Sequence, residues 1–182
     1  SGGLTDTGNY ALELADFAGL STQNAKMGSS LARGDFDDDG DDDLAVGTPS
    51  LSSGGVLRAG GVLIYRQSGG TLAAALRYDQ DSAIIPGMAE HEDNCGSSLA
   101  AGDFNGDGQD DLANGCPNEI VTANGAAEGA LNTVYFGFVS GAFAVTQAQL
   151  WHKNTAGIPD QCSSEDLFSS TLAAGDFNGD GR

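Results

Sequence analysis

The chain has 182 residues, 40% of them hydrophobic, and its 26 acidic against 7 basic side chains give a formal charge of −19. That apolar content excludes a disordered acidic tail, and the charge excludes a nucleic-acid partner, whose phosphates would be repelled. No apolar run reaches the roughly 18 residues of a membrane-crossing helix, so no membrane span is expected.

In chain order, short apolar runs between turn signals, with 28 glycines, predict mostly β structure. Residues 1–17, "SGGLTDTGNYALELADF", resemble 68–80, "SGGTLAAALRYDQ". This predicts a lone outer strand, the fourth (D) of a preceding unit, and a connecting loop in 1–27. "GSSLARGDFDDDGDDDLAVGTP" (28–49) then aligns without gaps with "GSSLAAGDFNGDGQDDLANGCP" (96–117), and "SSTLAAGDFNGDGR" (169–182) begins a third copy. In the first unit the predicted strands are A over 30–36, B over 43–49, C over 60–67 and D over 74–80. In the second unit, C and D fall at 132–138 and 148–153. The loops 81–95 and 154–168 share an Ile-Pro.

Asp35, Asp103 and Asp176 are equivalent in this alignment. The spacing is too long for a leucine-rich or ankyrin unit and suits one four-stranded blade with sizeable loops. The expected fold class is therefore all-β, a β-propeller segment of four-stranded antiparallel blades. Full blades are expected over 28–95 and 96–168, with strand A and a truncated loop of a third over 169–182.

The loop between strands A and B carries the chemistry. Residues 35–43, "DFDDDGDDD", hold seven aspartates in nine positions. Such density repels itself unless a cation sits inside it. Calcium takes six to eight hard oxygen ligands, and alternate side chains of a tightly curved loop can all point inward. Gly40 and Gly108, at position six, permit the sharp turn. The predicted ligands are Asp35, Asp37, Asp39, Asp43 and the Asp41 carbonyl in the first loop. In the second they are Asp103, Asn105, Asp107, Asp111 and the Gln109 carbonyl. An EF-hand instead closes with Glu at position twelve and lies between helices. The third copy offers Asp176, Asn178, Asp180 and the Arg182 carbonyl, an incomplete set whose closing acid would be residue 184. The chain is expected to continue past Arg182, with Asp or Glu two residues on. With four side-chain carboxylates against three, the first loop is expected to bind calcium more tightly than the second.

These loops and their spacing resemble the FG-GAP repeat of the integrin α-subunit propeller and its bacterial relatives. The resemblance covers nearly the whole chain. It implies a propeller of about seven blades with calcium in the A–B hairpin loops of one face, acting mostly as an extracellular adhesion or ligand-binding scaffold. The naming dipeptides vary: Phe-Gly is Met27-Gly28, Cys95-Gly96 and Phe168-Ser169, and Gly-Ala-Pro is Gly47-Thr48-Pro49 and Gly115-Cys116-Pro117.

Other residues invite readings that the repeat weakens. Arg33-Gly34-Asp35 spells an adhesion tripeptide, but its counterpart is Ala101-Gly102-Asp103, and Asp35 is a predicted metal ligand. His91, beside Cys95, has no matching histidine in the second unit, so a base or zinc ligand is not favoured and no enzyme is expected. Tyr78 and Trp151 occupy equivalent outer-strand positions and read as packing between blades rather than as a sugar platform. Of Cys95, Cys116 and Cys162, a bridge could join Cys95 to Cys116 or Cys116 to Cys162. Calcium loops and disulfides suit an extracellular setting. The expected function is a calcium-stabilised adhesion or protein-binding module, its protein or glycan ligand unknown. The rivals are a structural subunit of a multi-chain extracellular assembly and a carbohydrate-binding accessory module of a secreted enzyme. The remainder of the propeller, or neighbouring chains, is expected to cover the open edges.

Overall fold

Glycine pairs, Asx turns and apolar alternation cut the described residues into eight strands. The computed structural model describes residues 11–17, 24–52, 54–121, 128–163 and 165–179. Strands β1 (Leu31–Gly34), β2 (Asp43–Gly47), β3 (Val62–Ser68) and β4 (Thr71–Tyr78) form one antiparallel sheet in chain order. Strands β5 (Ser98–Gly102), β6 (Asp111–Cys116), β7 (Ala130–Val139) and β8 (Ala142–Trp151) form a second of the same order. The registers correspond: Leu31 pairs with Val46 as Leu99 pairs with Asn114, and Val62 pairs with Tyr78 as Leu131 pairs with Trp151. These are two tandem blades of the propeller kind.

The outer strands begin earlier than the apolar pattern suggests. Ser68 pairs with Thr71 across Gly69-Gly70, and Val139 with Ala142 across Ser140-Gly141. All four turn residues have positive φ, so each link is a two-residue turn whose twist matches the strands it joins. The first residues of β4 and β8 ride on those turns.

Two differences concern the ends of the described chain. Residues 1–10, within the predicted lone strand, lie outside the described residues. Over 11–17 the chain is not a strand but carries a single 3-10 turn, Leu14–Asp16. The Asp16 carboxylate accepts from the Glu13 N–H at 2.9 Å, and the Tyr65 hydroxyl donates to the Glu13 carbonyl at 3.0 Å. Local capping and an anchor on β3 replace a ladder there. Residues 171–175 of the predicted third strand A form no ladder among the described residues.

The main core lies between the sheets. From the first blade come Phe36, Ala45, Val62, Ile64, Tyr78 and Ile85, and from the second Leu99, Leu112, Val134, Phe136 and Val145. Tyr78 thus packs between blades, as its outer-strand position suggests. The opposite face of the first sheet buries Val46, Leu63 and Tyr65 under Phe17 and Ala25 of the preceding segment. Equivalent residues show what a neighbour supplies. The Phe after the first loop aspartate is 0% exposed as Phe36 and 91% as Phe177; the Leu opening strand A is 59% exposed as Leu31 and 8% as Leu99. Burying a side chain of that size contributes roughly 1.5–3 kcal/mol, so stacking of blades is the main apolar gain of this fold.

Close backbone approach sets the joints. Ser30 Oγ donates to the Gly96 carbonyl at 2.7 Å, and Ser98 Oγ to the Ser169 carbonyl at 2.6 Å. A Cβ on Gly47 would come within 2.1 Å of the Gly96 oxygen, and one on Gly115 within 2.3 Å of the Ser169 oxygen. Only glycine leaves room at that repeated position.

Candidate metal centre

Each acidic loop links the inner strand of a blade to the next strand, so its first and ninth residues are fixed by ladder ends: Gly34 opposite Asp43, and Gly102 opposite Asp111. Between them the loop closes on its own backbone. Asp35 accepts from the N–H groups of Asp39 at 3.1 Å and Gly40 at 2.9 Å, and Asp39 from that of Asp41 at 3.0 Å. Asp103 accepts from Gly106 at 2.6 Å, Asp107 at 3.2 Å and Gly108 at 2.9 Å. Asn105 accepts from Asp107 at 2.7 Å, and Asp107 from Gln109 at 2.9 Å. Gly40 and Gly108 have φ of 91° and 95°, and a Cβ on either would meet open space, so backbone conformation, not room, selects glycine there.

Of the predicted first-loop ligands, Asp35, Asp37 and Asp39 each bring one carboxylate oxygen within 4.8 Å of the others. Asp43 stands outside that group, buried at the strand end. Its Oδ1 accepts from the Gln67 N–H at 2.8 Å, and its Oδ2 is buried without a hydrogen-bond partner. Asp111, its counterpart, accepts from the Phe104 N–H at 3.0 Å. Burial pushes Asp43 up to about 6 and Asp111 up to about 7, with neighbouring loop aspartates adding to the rise. At Asp103 burial also pushes upward, but the N–H groups of Gly108, Gly106, Asp107 and Asn105 together outweigh it and hold the carboxyl below its ordinary value. Asp176 accepts from the Gly179 N–H at 2.6 Å, as Asp103 does from Gly106. Asp180 and Arg182 lie outside the described residues. Packed carboxylates held up by burial, one with an unpartnered buried oxygen, suit a hard divalent cation.

Two residues at this centre escaped the sequence reading. Arg66, on β3, forms an ion pair with Asp37 and lies 3.8 Å from Asp39. Its counterpart in the second blade is Tyr135, given that Leu44 pairs with Tyr65 as Leu112 pairs with Val134. Asp110, position eight of the second loop, reaches the first: its carboxylate accepts from the Asp35 N–H at 3.0 Å, and its N–H donates to the Asp35 carbonyl at 3.1 Å. Gln109 Nε2 donates to the Phe36 carbonyl beside it. The signal for Asp110 was present, since both full loops carry an acid at position eight, Asp42 and Asp110. No local pattern signals Arg66.

The other candidates resolve simply. Arg33 pairs with Asp42 at 2.8 Å and the Asp35 carboxylate is taken by backbone N–H groups, so the tripeptide offers no free acid. His91 Nδ1 accepts from the Leu57 N–H at 3.3 Å. Cys95 bridges Cys116, and Cys162 is a free thiol. Trp151 is half-buried and donates to Thr133 Oγ1 at 3.1 Å.

Two four-stranded blades joined through their inner strands, each with an acidic A–B loop, define a segment of a β-propeller. The family model of the FG-GAP repeat matches residues 27–65 and 96–136, so the chain carries FG-GAP repeats and is similar to the integrin-α-like propellers. It is 33% identical over 168 residues to human phosphatidylinositol-glycan-specific phospholipase D, an alignment covering 88% of this chain and 18% of that protein. It is 36% identical over 91 residues to integrin alpha pat-2 of Caenorhabditis elegans, covering 50% of this chain and 6% of that one. With integrin alpha-PS2 of Drosophila melanogaster it shares 30% over 156 residues, covering 85% and 10%. The chain thus spans less than a fifth of the length of these relatives. Among the described residues no helix is long and apolar enough to cross a membrane.

Proposed function

We propose that the chain is a calcium-stabilised, extracellular, non-catalytic binding module, in which the ion serves structure and partners meet the loops of the opposite face. The observation that carries this is the convergence of Asp35, Asp37 and Asp39 within 4.8 Å of one another, in a loop whose pattern recurs in register in the second blade. The residues that would hold calcium are Asp35, Asp37, Asp39, Asp43 and the Asp41 carbonyl, then Asp103, Asn105, Asp107, Asp111 and the Gln109 carbonyl. Asp176, Asn178, Asp180 and the Arg182 carbonyl would contribute to a third site. Further blades, or neighbouring chains, would cover the faces that expose Leu31 and Phe177.

Calcium binds the folded loops and not the unfolded chain, so it stabilises by mass action. Two sites at a hundredfold excess over Kd contribute about 2.7 kcal/mol each. At this chain length that corresponds to about 10–20 °C in melting temperature. Calorimetry in calcium and in EDTA tests it; an unchanged melt in EDTA would end the proposal. A second reading rests on the likeness to a phospholipase D named for phosphatidylinositol-glycan: a carbohydrate-binding accessory module of a secreted enzyme. Glycan-array binding by the isolated chain favours that reading, and concentration-dependent assembly in native mass spectrometry favours a structural subunit.

A further inference from the structure

A second set of acids lies at the far end of the blades. Strand β6 runs from Asp111 at the loop to Cys116, about 17 Å at strand rise. Asp93 stands two residues before Cys95, and Glu119 three after Cys116, so the disulfide ties together the two segments that carry them. Glu90 completes the set: one carboxylate oxygen from each of Glu90, Asp93 and Glu119 lies within 4.8 Å of the others.

Two of the three acids are buried, and the group is short of donors. Asp93 is 1% exposed and Glu119 2%. Asp93 Oδ2 accepts from the Glu90 N–H at 2.6 Å, while Asp93 Oδ1 and Glu90 Oε2 are buried with no hydrogen-bond partner. Gln80 donates its amide to Glu119 Oε2, and Gln80 Oε1 is likewise buried without a partner. No lysine, arginine or histidine pairs with the three acids among the described residues; Arg58 is held by Glu92 and Arg77 by Asp79. Two buried carboxylates and a half-buried third this close need counter-charge, either protons or a cation.

We propose that Glu90, Asp93 and Glu119 form a further calcium site, on the face opposite the acidic loops, that clamps the loop leaving the first blade to the loop after β6 of the second. The donor chemistry selects the ion. The set offers oxygen only, since both nearby cysteines are in the disulfide and His91 is turned to the Leu57 N–H. That disfavours zinc. Several carboxylates in an irregular buried pocket suit calcium better than magnesium, which keeps its waters and demands an octahedron. The backbone is already shaped for the clamp: Asn118 Nδ2 donates to the Glu92 carbonyl at 2.9 Å, and the N–H groups of Glu128 and Gly129 both reach the Glu119 carbonyl.

The rival is proton sharing. Burial pushes Asp93 up to about 7 and Glu119 up to about 8 when no ion is bound. Two measurements on the 182-residue chain separate them. Native mass spectrometry with calcium alone should count one ion fewer per chain in Glu119→Gln than in the parent. An equal count in folded Glu119→Gln overturns the site. Should that variant not fold, Asp43→Ala/Asp111→Ala/Asp176→Ala, disabled in all three acidic loops, should still melt several degrees higher with calcium than in EDTA. Identical melts overturn the proposal and assign the cluster to shared protons. Because this variant lacks every loop site, its result is independent of whether those loops bind.

Discussion

In the first loop Asp35 is met by Asp110 of the following blade, and Asp37 by Arg66 of its own. The second loop has neither contact among the described residues and is held by its own backbone, with Asp103 accepting from three N–H groups. Position four differs too: Asp38 sits at φ 56° where Gly106 sits at 81°. The first loop therefore has more carboxylates, a resident cation and some strain. The second has fewer charges and a relaxed turn. Counting acids predicts the first to bind calcium more tightly; the surroundings work against that count, because calcium must displace or tolerate the Arg66 guanidinium.

The largest test of this contrast removes the closing acid of each loop. Asp43→Ala and Asp111→Ala should each weaken calcium at their own loop by on the order of 100-fold and leave the other resolvable by calorimetry. Loss of both sites from either change would show that the loops do not bind separately. Next comes pH. Asp43 and Asp111 have folded values raised by burial to about 6 and about 7. The folded chain thus keeps protons that the unfolded chain releases. The stability so gained is full below the ordinary value of 3.8 and is lost as pH rises through about 6 at the first loop and about 7 at the second. In EDTA the melting temperature should fall by several degrees across that window. In saturating calcium, which replaces those protons, the fall should vanish. A melt in EDTA that rises over the same window would contradict this origin.

Asp110→Ala should weaken calcium at the first loop about 10-fold, although Asp110 belongs to the second, because it frees the Asp35 backbone. Equal weakening of both loops would dissolve the contrast. Arg66→Gln should tighten the first loop about 5-fold, the value of roughly 1 kcal/mol for a unit charge near 4 Å in water; unchanged affinity would mean that the guanidinium swings clear at no cost. The smallest effect is at position four. Asp38→Gly removes a left-handed cost of about 1–2 kcal/mol and adds about 0.5–1 kcal/mol of backbone entropy loss. The net should be a stabilisation of about 0.5 kcal/mol, read as a melting shift of about 1–2 °C.

The blades were legible because alternation is local. "GGVLIYRQ" and "DLAVG" read as strands from their own residues, and the repeat gives their order. Ladder ends needed turn geometry: β4 opens on Thr71 because Gly69-Gly70 makes a two-residue turn, which a polar start conceals. The acidic loops were legible because a metal loop is contiguous. The contacts that modify them are not, since Arg66 and Asp110 arrive from other strands. Glu119 is the extreme case. In "CPNEIV" it looks like a solvated loop acid, and only its burial against Gln80, from another blade, reveals it. The cysteine pairing required knowing that strands A and B return to one end together.

The Asp110 contact runs in one direction. The first loop is completed by the blade that follows it. A ribosome delivers the amino-terminal blade first, so the first loop emerges with its Asp35 backbone unmet and acquires its clamp only when the second blade has been made and folded. The first loop therefore matures one step behind its own synthesis.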